Sequence, residues 1–244
     1  CDGAGVGRGL NRPSGHSGIP EVVVRKEWCS GMPKLRLGAR ASVEELKGLN
    51  LPAMARLAGE GYAILTAVPS CTLMFKSELP LIFPEDAAVK AVAEAMFDPF
   101  EYLMARHKDG LLKRDFATPL GKVSYHIPCH SRVQNIGQKT REVLQWIPGT
   151  TVNTVERCAG HDGTWGVKTE HYETSMKIGR PVFRQMAQTE PDYISSDCPI
   201  AGRAILQGIE QAEAPPLHPY PRKAHPLTLL RIAYGIPDDP DQTR

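Results

Sequence analysis

Apolar positions along this chain change period again and again. Short runs rich in β-branched and aromatic residues, Glu21–Arg25, Tyr62–Val68, Val123–Ile127, Thr151–Val155 and Tyr193–Ser196, read as strands. Between them lie stretches with helical spacing: Ser42 to about Ala58, Cys71–Leu79, Asp86–Met96, Pro99–His107, Asn135–Trp146, Lys168–Met186, Ile200–Ile209 and Leu227–Tyr234. Ser42-Val43-Glu44-Glu45 has the spacing of a capping box and is expected to open the first of these helices. Strands alternating with helices predict βαβ units and a mainly parallel sheet, an α/β fold. The pattern restarts near residue 111. It divides the chain into an irregular lead-in (1–18), a first unit (19–110), a second unit (111–212) and a proline-rich tail with one short helix (213–244).

The lead-in contains Gly3-Ala4-Gly5-Val6-Gly7-Arg8-Gly9, superficially a dinucleotide fingerprint. No strand precedes it and no amphipathic helix follows, so the context such a loop needs is missing. The formal net charge is +2 and the basic residues are scattered, which argues against nucleic acid as a partner. No run approaches the roughly 20 apolar residues that span a bilayer, so no transmembrane segment is expected. Nothing near the start has the order of a signal peptide, and a cytoplasmic location follows as an expectation. Six cysteines in that setting are expected to be reduced thiols, metal ligands or catalytic groups rather than disulfides.

Those cysteines fall into two groups, Cys1, Cys29, Cys71 and Cys129, Cys158, Cys198. The steps within the groups are 28 and 42, then 29 and 40, as a duplicated unit would give. Cys29-Ser30-Gly31 matches Cys158-Ala159-Gly160, whereas the surroundings of Cys1 match nothing. Cys71, Cys129, Cys158 and Cys198 each follow an apolar strand and precede a turn or helix. In open α/β sheets, ligands gather outside the carboxyl ends of the strands. Helix N-termini there favour thiolates and anionic centres, and an iron–sulfur cluster is one.

Three segments resemble the cysteine-rich CCG domain: Tyr125-His126-Ile127-Pro128-Cys129-His130, Cys158-Ala159-Gly160-His161-Asp162-Gly163-Thr164-Trp165-Gly166, and Ser196-Asp197-Cys198-Pro199-Ile200-Ala201-Gly202. Cys29-Ser30-Gly31-Met32-Pro33-Lys34 and Val68-Pro69-Ser70-Cys71 carry a weaker likeness in the first unit. The resemblance covers roughly residues 19–237. This domain occurs in the B subunit of heterodisulfide reductase, in glycolate oxidase iron–sulfur subunits and in the C subunit of anaerobic glycerol-3-phosphate dehydrogenase, the type most similar to this chain. It implies two Rossmann-like CCG repeats related by a pseudo-two-fold, the first one degenerate. It also implies an electron-transfer subunit of an oxidoreductase rather than a catalytic one. Such a subunit would carry an iron–sulfur cluster, [4Fe–4S] foremost, between a flavoprotein dehydrogenase subunit and a quinone or other acceptor, and would sit in the cytoplasm or on the cytoplasmic face of the inner membrane. The ferredoxin-like segment usual in the family is not expected here, since the chain has no Cys-x-x-Cys-x-x-Cys run.

The metal ligands implied are Cys129, Cys158, Cys198, Cys29 and Cys71. Around them His126, His130, Gly160, His161, Asp162 and Gly163 are the candidate cofactor-binding residues. His126 and His130 flank Cys129 and read as a nucleophile's base, as residues satisfied by backbone and solvent, or as donors tuning a cluster. His161 or Asp162 supplies a missing ligand or only shapes the loop, in which Gly160, Gly163 and Gly166 permit close approach to a cofactor. The family pattern has further cysteines where Ser30, Ala159, Val68 and Ala201 stand. Three thiolates per repeat suffice for a cubane with one non-cysteine or open position, while the five-cysteine clusters of heterodisulfide reductase are not expected. Two rival readings stay open: a CCG scaffold without a cluster that docks a dehydrogenase subunit, and a zinc module, which would ordinarily show Cys-x-x-Cys pairs.

Overall fold

A computed structural model describes residues 13–24, 28–211 and 221–237. The glycine-rich run at 3–9 and Cys1 lie outside the described residues, as does much of the proline-rich tail.

The first half begins with a short helix, Met32–Arg36, and a long one, Arg40–Gly59. Strand β1 (Ile64–Leu65) then leads into helix Pro69–Leu73, which runs through a π-helical turn, Met74–Glu78, into Leu79–Ile82. Helix Ala87–Ala95, strand β2 (Met96–Phe97) and helix Pro99–Lys108 complete this half. Strands β1 and β2 pair in parallel. Met74, Leu79, Val89, Val92 and Met96 are buried among Val43 and Leu57 as its core.

A few helix starts follow side-chain chemistry. Asp86 accepts from the amides of Ala88 and Val89. Asp98 accepts from Phe100 and Glu101 while Glu101 reaches back to the Asp98 amide, a capping box ahead of Pro99. Ser42 does not cap. Its helix begins at Arg40 with no side-chain cap, because the turn closed by left-handed Gly38 (φ 72°) delivers the chain into helix two residues early.

The second half is a four-stranded, wholly parallel sheet in the order β4-β3-β5-β6: β3 is Gly121–His126, β4 Thr150–Val155, β5 Tyr193–Ser196 and β6 Arg222–Lys223. Helices Cys129–Arg132 and Lys139–Leu144 join β3 to β4, Thr169–Ala187 joins β4 to β5, and Pro199–Glu210 follows β5. Helix Pro226–Ala233 follows β6. Alternate residues of β3 feed two cores. Val123 and Tyr125, with Ile127 just past the strand, enter one with Val143, Leu144, Ile147, Leu227 and Leu230. On the other face, Ser124 donates to Met186 Sδ (3.4 Å), beside the cluster of Val155, Val182, Phe183, Ile194 and Ile205. Each fully buried Leu or Ile there contributes about 1.5–3 kcal/mol. The first of these cores also takes Phe100 and Leu103 from the first half, so the halves share it.

The α/β class and the parallel sheets agree with the sequence pattern. Some elements differ. Residues 21–24 form no strand; Val22 and Val23 instead line an apolar groove with Trp28, Leu49 and Pro52 of the long helix. Strands β2 and β6, only two residues each, have no signature of their own. The helix expected at Asn135–Trp146 shrinks to Lys139–Leu144, because Asn135 (φ 53°) and Gly137 (φ 78°) are left-handed.

Candidate metal centre

The strand order places the second half's chemistry. From β3 the chain crosses to β4 on one side, then returns past β3 to β5 on the other, so the connection reverses between β3 and β5. Outside the carboxyl ends of strands at such a point a crevice opens. Cys129 begins the helix after β3, Cys198 is the N-cap residue of the helix after β5, and Cys158 lies three residues beyond β4. Three thiols thus stand at the same ends of three adjacent strands. Cys129 and Cys158 are exposed and Cys198 is half-buried.

Backbone N–H groups surround two of the three sulfurs. The Gly160 amide donates to Cys158 Sγ at 3.4 Å. The amides of Ala201 and Ile200 donate to the Cys198 thiol at the start of its helix. Burial pushes that thiol up; those two amides pull it down, and nearby Cys129 and Asp197 push it up again. The effect of Cys129 on Cys198 brings these two sulfurs into one electrostatic neighbourhood. His130 Nδ1 lies 4.0 Å from Cys129 Sγ, and His161 Nε2 4.0 Å from Cys198 Sγ. Both imidazoles are depressed below the usual histidine range, chiefly by burial, and Arg36 adds to this in each case.

The glycine loop owes its shape to a helix. Gly160 has φ 85°, and a Cβ there would strike the Ser175 carbonyl oxygen of helix Thr169–Ala187. Its close approach is to protein, not to the open side of the site as the sequence suggested. Gly163, with φ 60° and open space about it, only turns the chain, and its amide donates to His161 Nδ1 (3.0 Å). Asp162, also left-handed at φ 36°, accepts a hydrogen bond from Arg36 Nη1. His126 points elsewhere. It is 2% exposed, its Nε2 donates to the Arg157 carbonyl (2.8 Å) and its Nδ1 meets Ser196 Oγ (3.0 Å). Both ring nitrogens are committed to fastening the β3 end to the Cys158 and Cys198 segments, and burial drops its pKa to about 4.

The first half contributes more distantly. Cys71 is half-buried in helix Pro69–Leu73, which packs on helix Cys129–Arg132, and Gln134 Nε2 donates to the Pro69 carbonyl (3.3 Å) across the seam. Cys29 is exposed, its carbonyl held by Asn50 Nδ2 (3.2 Å). Sequence reasoning missed Arg36, whose guanidinium joins His130 Nε2 (2.7 Å) and Asp162 from the opposite half. No local motif marks it, since its role exists only through long-range folding. It also missed the buried network at Asp197, which accepts from the Tyr125 hydroxyl and from Thr140 Oγ1 (3.0 Å). Burial and the neighbouring Asp98 raise the Asp197 carboxyl. An aspartate directly after an apolar strand was the available signal.

Among the described residues, no three His, Cys, Asp or Glu side chains are gathered closely enough to hold one metal ion. The donor set still suits a thiolate-bound, anionic centre, since backbone amides donate to the sulfurs of Cys158 and Cys198 and the thiols of Cys129 and Cys158 are exposed on short connections. Among the described residues, no helix is long and apolar enough to cross a membrane.

Comparison with known proteins agrees with the resemblance. Residues 123–200 match the family model of the cysteine-rich domain CCG. The chain is 28% identical over 230 residues to the C subunit of anaerobic glycerol-3-phosphate dehydrogenase from Escherichia coli (strain K12), covering 93% of this chain and 55% of that one. It is 26% identical over 201 residues to the D subunit of the dihydromethanophenazine:CoB–CoM heterodisulfide reductase from Methanosarcina acetivorans, covering 77% of this chain and 46% of that one. The corresponding D subunit from Methanosarcina mazei is 27% identical over 195 residues, covering 75% and 45%. The chain thus spans about half the length of the curated relatives it matches.

Proposed function

We propose that this chain is an iron–sulfur electron-transfer unit of a multi-subunit oxidoreductase, built of two CCG repeats at 19–110 and 111–212. The observation that carries the reading is the set of three thiols, Cys129, Cys158 and Cys198, at the carboxyl ends of β3, β4 and β5, around the point where the strand order reverses. Relatives named as dehydrogenase and heterodisulfide reductase subunits support it.

In this reading Cys129, Cys158 and Cys198 hold a cluster, [4Fe–4S] by preference, and Cys71 and Cys29 serve the degenerate first repeat. A bound cluster supplies reversible one-electron chemistry. The chain's residues do the rest. Thiolates bind, the Gly160, Ile200 and Ala201 amides offset their negative charge, and the apolar cores behind them keep water to one side. No side chain need move a proton. A flavin-bearing dehydrogenase partner as donor, a quinone at the membrane surface as acceptor, and a cytoplasmic location complete the proposal.

Anaerobic reconstitution followed by iron and acid-labile sulfide analysis tests it. Brown protein with iron and sulfide in equal amounts and a paramagnetic signal on reduction is the expected result, and Cys158→Ala should lose most of both. Colourless, iron-free protein after reconstitution would overturn the cluster reading.

A second reading is favoured by Ala159 and Ala201. Both stand where the resemblance implies cysteine, and both are packed into a core at 4% and 0% exposure. A scaffold that docks a dehydrogenase partner without any cluster would keep that packing. It predicts co-purification with a flavoprotein that Cys158→Ala leaves undiminished.

A further inference from the structure

We infer that His130 and His161 are not ligands but hydrogen-bond donors to the sulfurs of Cys129 and Cys198, each ring locked in the tautomer that aims an N–H at sulfur. The redox side of this inference rests on the proposed cluster; its chemical side does not.

The argument is one of donors and acceptors. A neutral imidazole has one N–H and one bare nitrogen, and its tautomer is fixed by whichever nitrogen is spoken for. His130 Nε2 is 2.7 Å from Arg36 Nη2, and a guanidinium can only donate. Nε2 is therefore the bare acceptor, the proton sits on Nδ1, and Nδ1 is the atom 4.0 Å from Cys129 Sγ. For His161 the same logic runs through the other nitrogen. Its Nδ1 accepts from the Gly163 backbone amide at 3.0 Å, so the proton sits on Nε2, 4.0 Å from Cys198 Sγ. Two rings, oriented by unrelated partners, each present the protonated edge to a thiol. A protonated nitrogen cannot ligate iron, and a doubly protonated ring could accept from neither Arg36 nor Gly163.

Arg36 is then a positioning residue. It is anchored by Asp162 in the second half while its own helix, Met32–Arg36, belongs to the first. The first half thereby sets the proton on a second-half histidine. An N–H aimed at sulfur stabilises added negative charge there, so it favours the reduced cluster and, without a cluster, the thiolate.

The test compares His161→Leu, which deletes the donor, with His161→Gln, which keeps a side-chain N–H. In anaerobically reconstituted protein both variants should retain the iron and sulfide of the unaltered chain. His161→Leu should shift the midpoint potential downward by about tenfold in the reduced-to-oxidised ratio at fixed potential, roughly 59 mV for one electron. His161→Gln should stay near the unaltered value. Iron lost in both variants and restored by His161→Cys would make the residue a ligand and overturn the inference; retained iron with an unshifted potential would overturn it equally.

Should the unaltered protein bind no iron, the cluster proposal falls and this one is read on the thiols themselves. Iodoacetamide labelling of the apo-protein at neutral pH, quantified by peptide mass spectrometry, should slow at Cys198 by about threefold in His161→Leu, not in His161→Gln, with Cys158 as internal control. Equal rates overturn the donor role. If His161→Leu fails to fold, Arg36→Met carries the test. It should slow Cys129 labelling by a similar factor in the normal background and leave it unchanged in His130→Asn; slowing in both backgrounds counts against the inference.

Discussion

Histidines show how little a residue's identity says about its use. His126, His130 and His161 belong to the same half of the chain, yet one fastens strands and two face sulfur. Sequence reasoning named all three as candidates, and it could go no further because the deciding partners, Arg157, Arg36 and Gly163, include one from the far half of the chain. A fourth, His225, carries no motif and is partly buried. Its Nδ1 accepts from the Leu227 amide at the start of helix Pro226–Ala233, and its Nε2 donates to the Asp197 carbonyl (3.0 Å). Burial drops its pKa to about 4. Since the folded value lies below the unfolded one near 6.5, its contribution is whole above pH 6.5. It is lost as the pH falls toward 4, by at most about 3 kcal/mol. In His225→Asn, which keeps a capping oxygen, that part of the acid sensitivity should vanish. Urea midpoints at pH 7 and pH 4.5 for both proteins measure it, and an unchanged difference would refute the assignment.

At the scale of elements, long periodic segments were legible and their ends were not. The helices at Thr169–Ala187, Pro199–Glu210 and Pro226–Ala233 lie within a residue or so of where the pattern puts them, because amphipathic spacing, joined in the last two by an initial proline, survives tertiary context. The Ser42 cap failed because a left-handed glycine turn upstream decided the start, whereas Asp98, overlooked in the sequence, caps in full. Asp98 is buried at 4% exposure, and burial raises its carboxyl above the usual range. The two amides it accepts from are what the helix needs; its charge is not. Asp98→Ala should therefore cost about 1–2 kcal/mol in thermal or urea unfolding, and Asp98→Asn only a fraction of that. Equal losses in the two variants would show that the capping bonds are not what matters.

Across the whole molecule, the described residues form two parallel sheets of unequal size, which periodicity foresaw in kind but not in count. What no local pattern could show is that helix Pro99–Lys108 of the first half helps fill the core beneath the second sheet. Phe100 and Leu103 are 1% and 0% exposed there, beside Val123, Tyr125 and Leu144. Leu103→Ala should cost about 2–5 kcal/mol. Because the cavity lies in a core common to both halves, unfolding should stay a single step, with tryptophan fluorescence and far-ultraviolet dichroism moving together. Two separated transitions in the unaltered protein would mean that the shared core does not couple them.

Three of the sulfurs, by contrast, hold nothing up. Cys29, Cys129 and Cys158 are exposed, on the rim and not in the masonry, whereas Cys71 is half-buried and Cys198 leans on the cluster of Val155 and Ile205. Replacing any of the three exposed thiols therefore takes nothing away from the buried frame that displays it.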